Sequence, residues 1–271
     1  MVDRSAPAPP RVWGIVNVTP DSFHDGGRHA TTESAIAHAR RLLAEGADVL
    51  DVGGESTRPG AEEVSVDEEV RRVAPVVRAL AAVGVPVPIS VDTRKAAVAE
   101  AALDAGATIV NDVSAGTHDP AMLALVARRG AGVVLMHSRG TPRTMQGQTA
   151  YADVVAEVRA HLAARAAVAE EAGVSPARIW VDPGIGFAKT AEQNLLLLRH
   201  LETLVGDGRP VLLGASRKSF LESLTGRRAE DRLAGSLACV VRALEAGVAA
   251  VRVHDVAATR DLLAVLAAFR A

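Results

Sequence analysis

The chain of 271 residues has a single cysteine, Cys239. One thiol cannot build an internal disulfide framework, and such economy fits a reducing compartment. Cys239 lies in the apolar run LACVVRAL, where a small core residue is expected rather than a nucleophile. Charge of either sign is not in excess: 30 Lys and Arg face 32 Asp and Glu, for a formal net charge of −2 and a pI near 6.5. That balance gives no electrostatic footprint for nucleic acid or an anionic membrane. Uninterrupted apolar runs all fall short of the ~18 residues that span a bilayer. The leading stretch MVDRSAPAPPR is polar and proline-rich, without the apolar centre of a signal peptide. The expectation is a soluble, cytoplasmic protein in which residues 1–11 form a disordered leader and residues 12–271 one domain.

What the chain does have is hydrophobic mass, 49% of its residues, enough for a large core. One phrase recurs: a helical run ends in glycine and a short apolar strand follows. It is read in LLAEGADVLDVGG, ALAAVGVPVPISVDT, ALDAGATIVNDVS, VARRGAGVVLMHS and ALEAGVAAVRVHD, with longer turns in EEAGVSPARIWVDPG and LVGDGRPVLLGAS. Glycine after the last helical turn suits a left-handed C-cap, because it has no Cβ to clash. The opening VWGIVNV brings the strands to eight, and patterns such as ESAIAHARRLL, VDEEVRRVAPVVRAL and DVVAEVRAHLAARAAVAEEAG fill the intervals with helices. Eight apolar strands alternating with helices over roughly 250 residues predict an α/β fold of the (β/α)8 TIM barrel type. The runner-up is an open doubly wound sheet, which would usually carry a GxGxxG turn after its first strand; none is present.

Such barrels place their active sites at the C-terminal ends of the strands. Asn17 interrupts and closes the first strand in VWGIVNVTPDSFHDGG, and the loop from Thr19 to Gly27 sits over the mouth. The second strand ends in Gly53, Gly54 and Glu55 and leads into STRPGA with Arg58; the third ends in Asp92, the fourth in Asn111 and Asp112. Met136 and His137 close the fifth, Asp182 the sixth ahead of Pro183 and Gly184, and Ser216, Arg217 and Lys218 the seventh. Arg252 and His254 on the eighth are one residue apart and point the same way. Singly, each has a bland reading: Asp112 and Asp255 can be helix caps, and Thr93 can cap the helix that follows Asp92. Together, eight segments turn polar at one end of the barrel, and structural need alone favours neither end.

The residues sort by charge. Arg58, Lys218, Arg252 and His254 form a cationic group suited to phosphate or diphosphate. Asn17 and Asp25 are hard oxygen ligands able to hold Mg²⁺ beside those phosphates. Asp92, Asn111 and Asp182 form an acceptor-rich group that suits the edge of a nitrogen heterocycle. Zinc-type Cys/His spacing and a Ser–His–Asp set are both missing. The reading at this level is a barrel enzyme acting on a small, phosphorylated, polar-edged substrate.

GIVNVTPDSFHDGG, DVGGESTRPGA, ISVDTRK, NDVSAG, LMHSRGTPRTMQ, DPGIGFAKT, GASRKSF and RVHDV, in that order from Val12 to the C-terminus, closely resemble the dihydropteroate synthase family of bacterial folate biosynthesis. The resemblance implies condensation of 6-hydroxymethyl-7,8-dihydropterin diphosphate with p-aminobenzoate, releasing diphosphate with the help of Mg²⁺. It implies Asp92, Asn111, Asp182 and Lys218 on the pterin edge, with Val113, Met136 and Phe187 as pocket walls and Arg252 against the pterin face. Asn17, Thr57, Arg58, Arg252 and His254 would surround the diphosphate, with Asn17 on the metal. Phe23, Pro59 and Ser219 would form the p-aminobenzoate slot, Ser219 through free N–H groups at a helix start. Asp92, Asp25 and Lys218 would be the catalytic groups, the two acids facing a pterin cation, and residues 18–28 would form a lid. A homodimer packed through the late helices is implied as well. His24 and the Ser138-Arg139 pair depart from the family pattern away from contact positions. Two rival readings stand beside this one: a non-catalytic pterin-binding paralogue, and a pterin-dependent methyltransferase, which has no reason to keep STRPG, Asn17 or the Arg252–His254 pair.

Overall fold

The computed structural model of the protein describes residues 8–19 and 28–269. Its strands are β1 (Arg11–Asn17), β2 (Val49–Gly53), β3 (Ile89–Asp92), β4 (Ile109–Asp112), β5 (Gly132–Met136), β6 (Ile179–Asp182), β7 (Leu212–Leu213) and β8 (Ala250–Val253). They run parallel in the order β6-β5-β4-β3-β2-β1-β8-β7. The ends of that series meet at a parallel bridge between Val181 and Val211, where Val181 N–H donates to Pro210 O at 3.0 Å. The sheet is therefore a barrel, and the open-sheet alternative is excluded. β1 begins at Arg11, whose N–H donates to Ala249 O at 2.9 Å, inside the stretch expected to be leader. Residues 1–7 of that stretch lie outside the described residues.

The helices among the described residues are α1 (Arg28–Ala44), α2 (Val66–Ala82), α3 (Ala96–Ala105), α4 (Met122–Arg129), α5 (Val154–Glu171), α6 (Ala191–Arg199), α7 (Leu201–Val205), α8 (Phe220–Thr225), α9 (Leu233–Ala246) and α10 (Val256–Ala268). Local chemistry sets their ends. Ser65 caps α2 by accepting from Glu68 N–H, and Asp67, Glu68 and Glu69 in its first turn complement the helix dipole. Val73, Val76, Val77 and Leu80 then bury one face of α2 at helical spacing. Asp153 caps α5 by accepting from Val155 and Ala156 N–H, each at 3.0 Å. At the C-cap of α3, Gly106 has φ +117°, and a Cβ there would come within 2.6 Å of the Ala81 methyl. Gly46, Gly84, Gly130, Gly173 and Gly247 also take positive φ, which gives the recurring helix–glycine–strand phrase its physical meaning.

Two apolar layers result. Between strands and helices lies the larger, including Leu42, Leu80, Leu135, Ile179 and Leu201. Inside the barrel, Trp13, Val49, Val134, Leu212 and Ala250 fill the lower part, with the Trp13 and Trp180 rings 5.8 Å apart. Each large side chain so buried contributes about 1.5–3 kcal/mol. Cys239 is buried on α9 and its thiol is pushed up to about 11 by that burial, so it belongs to the core as expected. Above the apolar plug, toward the strand C-termini, the barrel interior turns polar.

Candidate active site at the barrel mouth

Strand register lifts the first polar group into the mouth. Asp51 pairs with Ser90, Gly53 with Asp92, and Asp92 with Asn111, so acids and amide rise along β2, β3 and β4. Arg252 of β8 reaches across the interior, donating from Nε to Asp51 Oδ2 at 2.5 Å and from Nη2 to Asp92 Oδ2 at 2.7 Å. Asn111 Nδ2 donates to the same Asp51 oxygen at 3.0 Å. Among the described residues Asp51 Oδ1 and Asp92 Oδ1 are enclosed without a partner, an arrangement that costs about 1–3 kcal/mol per atom unless a ligand supplies a donor. Two carboxylates thus share one guanidinium. Burial pushes the Asp92 carboxyl up to about 7, Arg252 pulls against that rise, and Asp51 adds to it. For Arg252, burial works against the charge, but Asp51 and Asp92 outweigh it and hold its proton more firmly than in a free arginine.

A second group forms where β6 and β7 end. Asp182 Oδ1 accepts from Gly184 N–H at 2.7 Å, and burial raises its carboxyl while Lys218 opposes the rise. The chain turns at Gly184, φ +68°, where a Cβ would lie 1.9 Å from His137 O; only glycine fits. Buried Lys189 secures this turn, donating from Nζ to Gly184 O at 3.0 Å, Phe187 O at 2.9 Å and His137 Nδ1 at 3.0 Å. Burial lowers Lys189 to about 7 and, with the Lys189 charge beside it, His137 to about 2, so this imidazole is a neutral acceptor. The same turn offers Ile185 O to Lys218 Nζ and sets the Phe187 ring 4.3 Å from that ammonium. Burial lowers Lys218 to about 8, against the pull of Asp182. Lys218 is aimed by its neighbour Arg217, a non-glycine residue at φ +56°. Arg217 N–H donates to Ser236 Oγ at 2.9 Å, its carbonyl accepts from Arg232 Nη1 at 3.0 Å, and its Nε donates to Asp255 Oδ2 at 2.9 Å.

The side expected to meet an anion is built from looser parts. His254 Nδ1 lies 3.0 Å from Ser216 Oγ. Burial first, then Arg252 and Arg217, push His254 down to about 3. The expectation of a cationic His254 is therefore corrected: the imidazole is neutral at ordinary pH, because desolvation and two neighbouring guanidinium groups remove its charge. Arg58 and Pro59 are exposed on the β2 loop and Thr57 is half-buried. Neither the Arg58 guanidinium nor the Asn17 carboxamide makes a hydrogen bond among the described residues. The β2 loop is tied at both ends: Gly60 N–H donates to Pro142 O at 2.9 Å, and Lys95 Nζ joins Glu55 and Val64 O to Glu69 at 2.7 Å.

The other expected residues divide. Val113 is half-buried after Asp112, Met136 is buried at the end of β5, and Ser219 is exposed ahead of α8. Phe23, His24 and Asp25, with nearly all of the expected lid, lie outside the described residues. Asp112 folds its own turn, accepting from Ser114 and Gly116 N–H, both at 2.7 Å. Asp255 pairs with Arg217 instead of capping α10. Thr93 accepts from Lys95 N–H, but the Ala96 N–H of α3 is capped from the next loop by Asp119 at 2.8 Å. Arg139 stacks 3.7 Å over Tyr151 and pairs with Glu157, which gives that departure from the family pattern a packing role. No group of three or more His, Cys, Asp or Glu that could hold a metal occurs among the described residues.

The sequence pattern of the family described as pterin binding enzyme matches residues 13–254. The dihydropteroate synthases of Synechocystis sp. and Neisseria meningitidis serogroup C are 47% and 48% identical to the chain, covering 93% and 94% of it and 87% and 90% of their own lengths. This chain belongs to the dihydropteroate synthase family of pterin-binding enzymes. A solved Xanthomonas albilineans dihydropteroate synthase with 4-aminobenzoic acid is 51% identical with a TM-score of 0.91, over 97% of this chain and 94% of that one. The same organism's dihydropteroate synthase in complex with 7,8-dihydropteroate is 48% identical with a TM-score of 0.87, at the same coverage.

In this member of the dihydropteroate synthase family, Asp51 and Lys189 stand in direct contact with expected site residues but escape a reading confined to strand ends. Asp51 had a usable signal: a lone acid within the apolar strand VLDVG, where every residue is buried. Lys189 had none, since a lysine before a helix start ordinarily reads as solvated.

Proposed function

We propose that the protein joins 6-hydroxymethyl-7,8-dihydropterin diphosphate to p-aminobenzoate, giving 7,8-dihydropteroate and diphosphate. The observation that carries this reading is the Asp51–Arg252–Asp92 cluster with Asn111, facing Asp182 and Lys218 across one barrel mouth. Acceptors and donors so arranged match the mixed edge of a pterin, and family membership supports the same substrate.

Asp182 and Asn111 accept from the pterin, Lys218 donates to it, and Val113, Met136 and Phe187 wall the slot, with Arg252 along the ring. The C–O bond between the exocyclic methylene and the diphosphate breaks first, its electron pair leaving with the diphosphate. The amine nitrogen of p-aminobenzoate then forms the C–N bond and afterwards loses its proton, so no strong base is needed. Asp92, with its unpaired oxygen, stabilises the intermediate pterin cation, joined by Asp25 from the first loop. A carboxylate about 4 Å from a unit charge contributes roughly 4 kcal/mol at an effective dielectric of 20, comparable with the ~3 kcal/mol of one preorganised donor.

Arg58, Thr57, neutral His254 as a hydrogen-bonding group, and the free Nη1 of Arg252 receive the diphosphate. The Asn17 carboxamide, without a hydrogen bond among the described residues, suits Mg²⁺, which commonly takes one or two protein oxygens and completes its shell with phosphate and water. When bound, the ion neutralises charge on the departing diphosphate. Pro59, Phe23 and the N–H groups at Ser219 form the p-aminobenzoate slot.

Late helices leave Leu224, Leu233, Val265 and Phe269 exposed, which supports a homodimer through that region; light scattering on the purified chain tests it. The single cysteine supports a reducing, cytoplasmic setting; no helix among the described residues is long and apolar enough to cross a membrane. The catalytic reading is tested by measuring diphosphate release from the dihydropterin diphosphate with and without p-aminobenzoate and Mg²⁺. Mg²⁺-dependent release is expected. Pterin binding without release would mark a non-catalytic paralogue.

A further inference from the structure

We propose that Asp51 is a positioning residue that sets the hydrogen-bond polarity of the pterin edge. It has no exposed surface and lies two residues below the end of β2, so it acts through the residues it holds. One oxygen, Oδ2, accepts both from Asn111 Nδ2 at 3.0 Å and from Arg252 Nε at 2.5 Å. A carboxamide has two ends of nearly equal shape, one donating and one accepting. A carboxylate only accepts, so Asp51 captures the amino end of Asn111. The carbonyl end is left as an acceptor, and no donor among the described residues reaches it. A bound heterocycle must therefore offer an N–H at that point, and one offering a lone pair is refused.

The same oxygen fixes the guanidinium. With Nε held by Asp51 and Nη2 by Asp92 at 2.7 Å, the plane of Arg252 is pinned between two strands. Nη1 and the flat face of the group remain for ligand. The fold itself gives no reason for a charge at position 51. Its second oxygen is sealed and unpaired, and an apolar residue would remove that orphan while leaving the parallel pairing of β2 intact.

This inference rests on the pterin reading above, and the test separates the two. The full-length protein is titrated calorimetrically with 6-hydroxymethylpterin and with the matching lumazine, in which a carbonyl replaces the exocyclic amine. The wild type should bind the pterin and prefer it. Asp51→Leu is of similar size but offers no acceptor, so Asn111 is no longer oriented. The preference should fall ten-fold or more while the protein still unfolds cooperatively. Combining Asp51→Leu with Asn111→Asp puts at position 111 a carboxylate, which only accepts whichever way it turns. The preference should then return. Asp182 is unchanged in all three proteins, so the ratios isolate this pair. A single variant as selective as the wild type, or a loss that the double variant fails to recover, overturns the inference. A wild type that binds neither probe overturns the pterin reading and this inference with it.

Discussion

Asp92→Asn should make the protein more stable and far less active, in a manner that depends on pH. The side chain is buried, one oxygen bonds Arg252 at 2.7 Å and the other has no partner. Its carboxyl is pushed up to about 7 from 3.8, chiefly by burial. Between those values the folded protein holds a proton that the unfolded chain has lost. Stability therefore falls as pH rises through that window and stays low above it. At about 1.36 kcal/mol per pH step the ceiling is roughly 4 kcal/mol at pH 8. An amide removes the charge and still leaves Arg252 its partner Asp51, but it retains one unpaired buried atom costing about 1–3 kcal/mol. The net gain should be about 1–3 kcal/mol at pH 8, or several degrees in Tm, and should largely vanish at pH 5, where Asp92 is already neutral. Turnover should fall about 10²–10³-fold, the scale of one lost electrostatic contact, with pterin affinity changed much less. Denaturant titrations at both pH values and steady-state kinetics measure these quantities. A variant with wild-type turnover, or one destabilised at pH 8, would refute the charge-strain reasoning.

Three further outcomes follow from particular contacts. Lys218, lowered to about 8 by burial, carries its charge below that pH and loses it above; pterin affinity should decline as pH rises through 8, and Lys218→Met should flatten that profile in a titration series. Gly184→Ala would bring a methyl within 1.9 Å of His137 O at φ +68°, so a loss above about 4 kcal/mol is expected, read as loss of soluble folded protein or of its unfolding transition. Asp119→Ala removes the oxygen that caps Ala96 N–H at 2.8 Å; it should cost about 0.5–2 kcal/mol in thermal unfolding and leave kcat unchanged.

The barrel was legible because each repeat writes its own ending: a glycine that only a left-handed cap requires, then an apolar strand that can only be covered on both sides. Strand-end residues were legible for the same reason, since the fold class says which ends meet. What escaped depends on tertiary neighbours. His254 reads as a cation until Arg252 and Arg217 are found beside it in a desolvated pocket. Thr93 reads as the cap of α3 until Asp119 arrives from the next loop. The closure of β6 on β7 rests on the single bridge of Val181 with Val211, which no local pattern announces. Asp51 was visible as a charge out of place, but its work lies in what it does to Asn111 and Arg252, and residue spacing alone does not reveal that.

The most direct measurement is mass-spectrometric detection of 7,8-dihydropteroate after the purified protein is given the dihydropterin diphosphate, p-aminobenzoate and Mg²⁺, with Asp92→Asn run beside it. The expected result is product in stoichiometric balance with released diphosphate, and at least a hundred-fold less from the variant. Pterin bound by the wild type with no dihydropteroate formed would contradict the synthase reading and leave the mouth as a binding site alone.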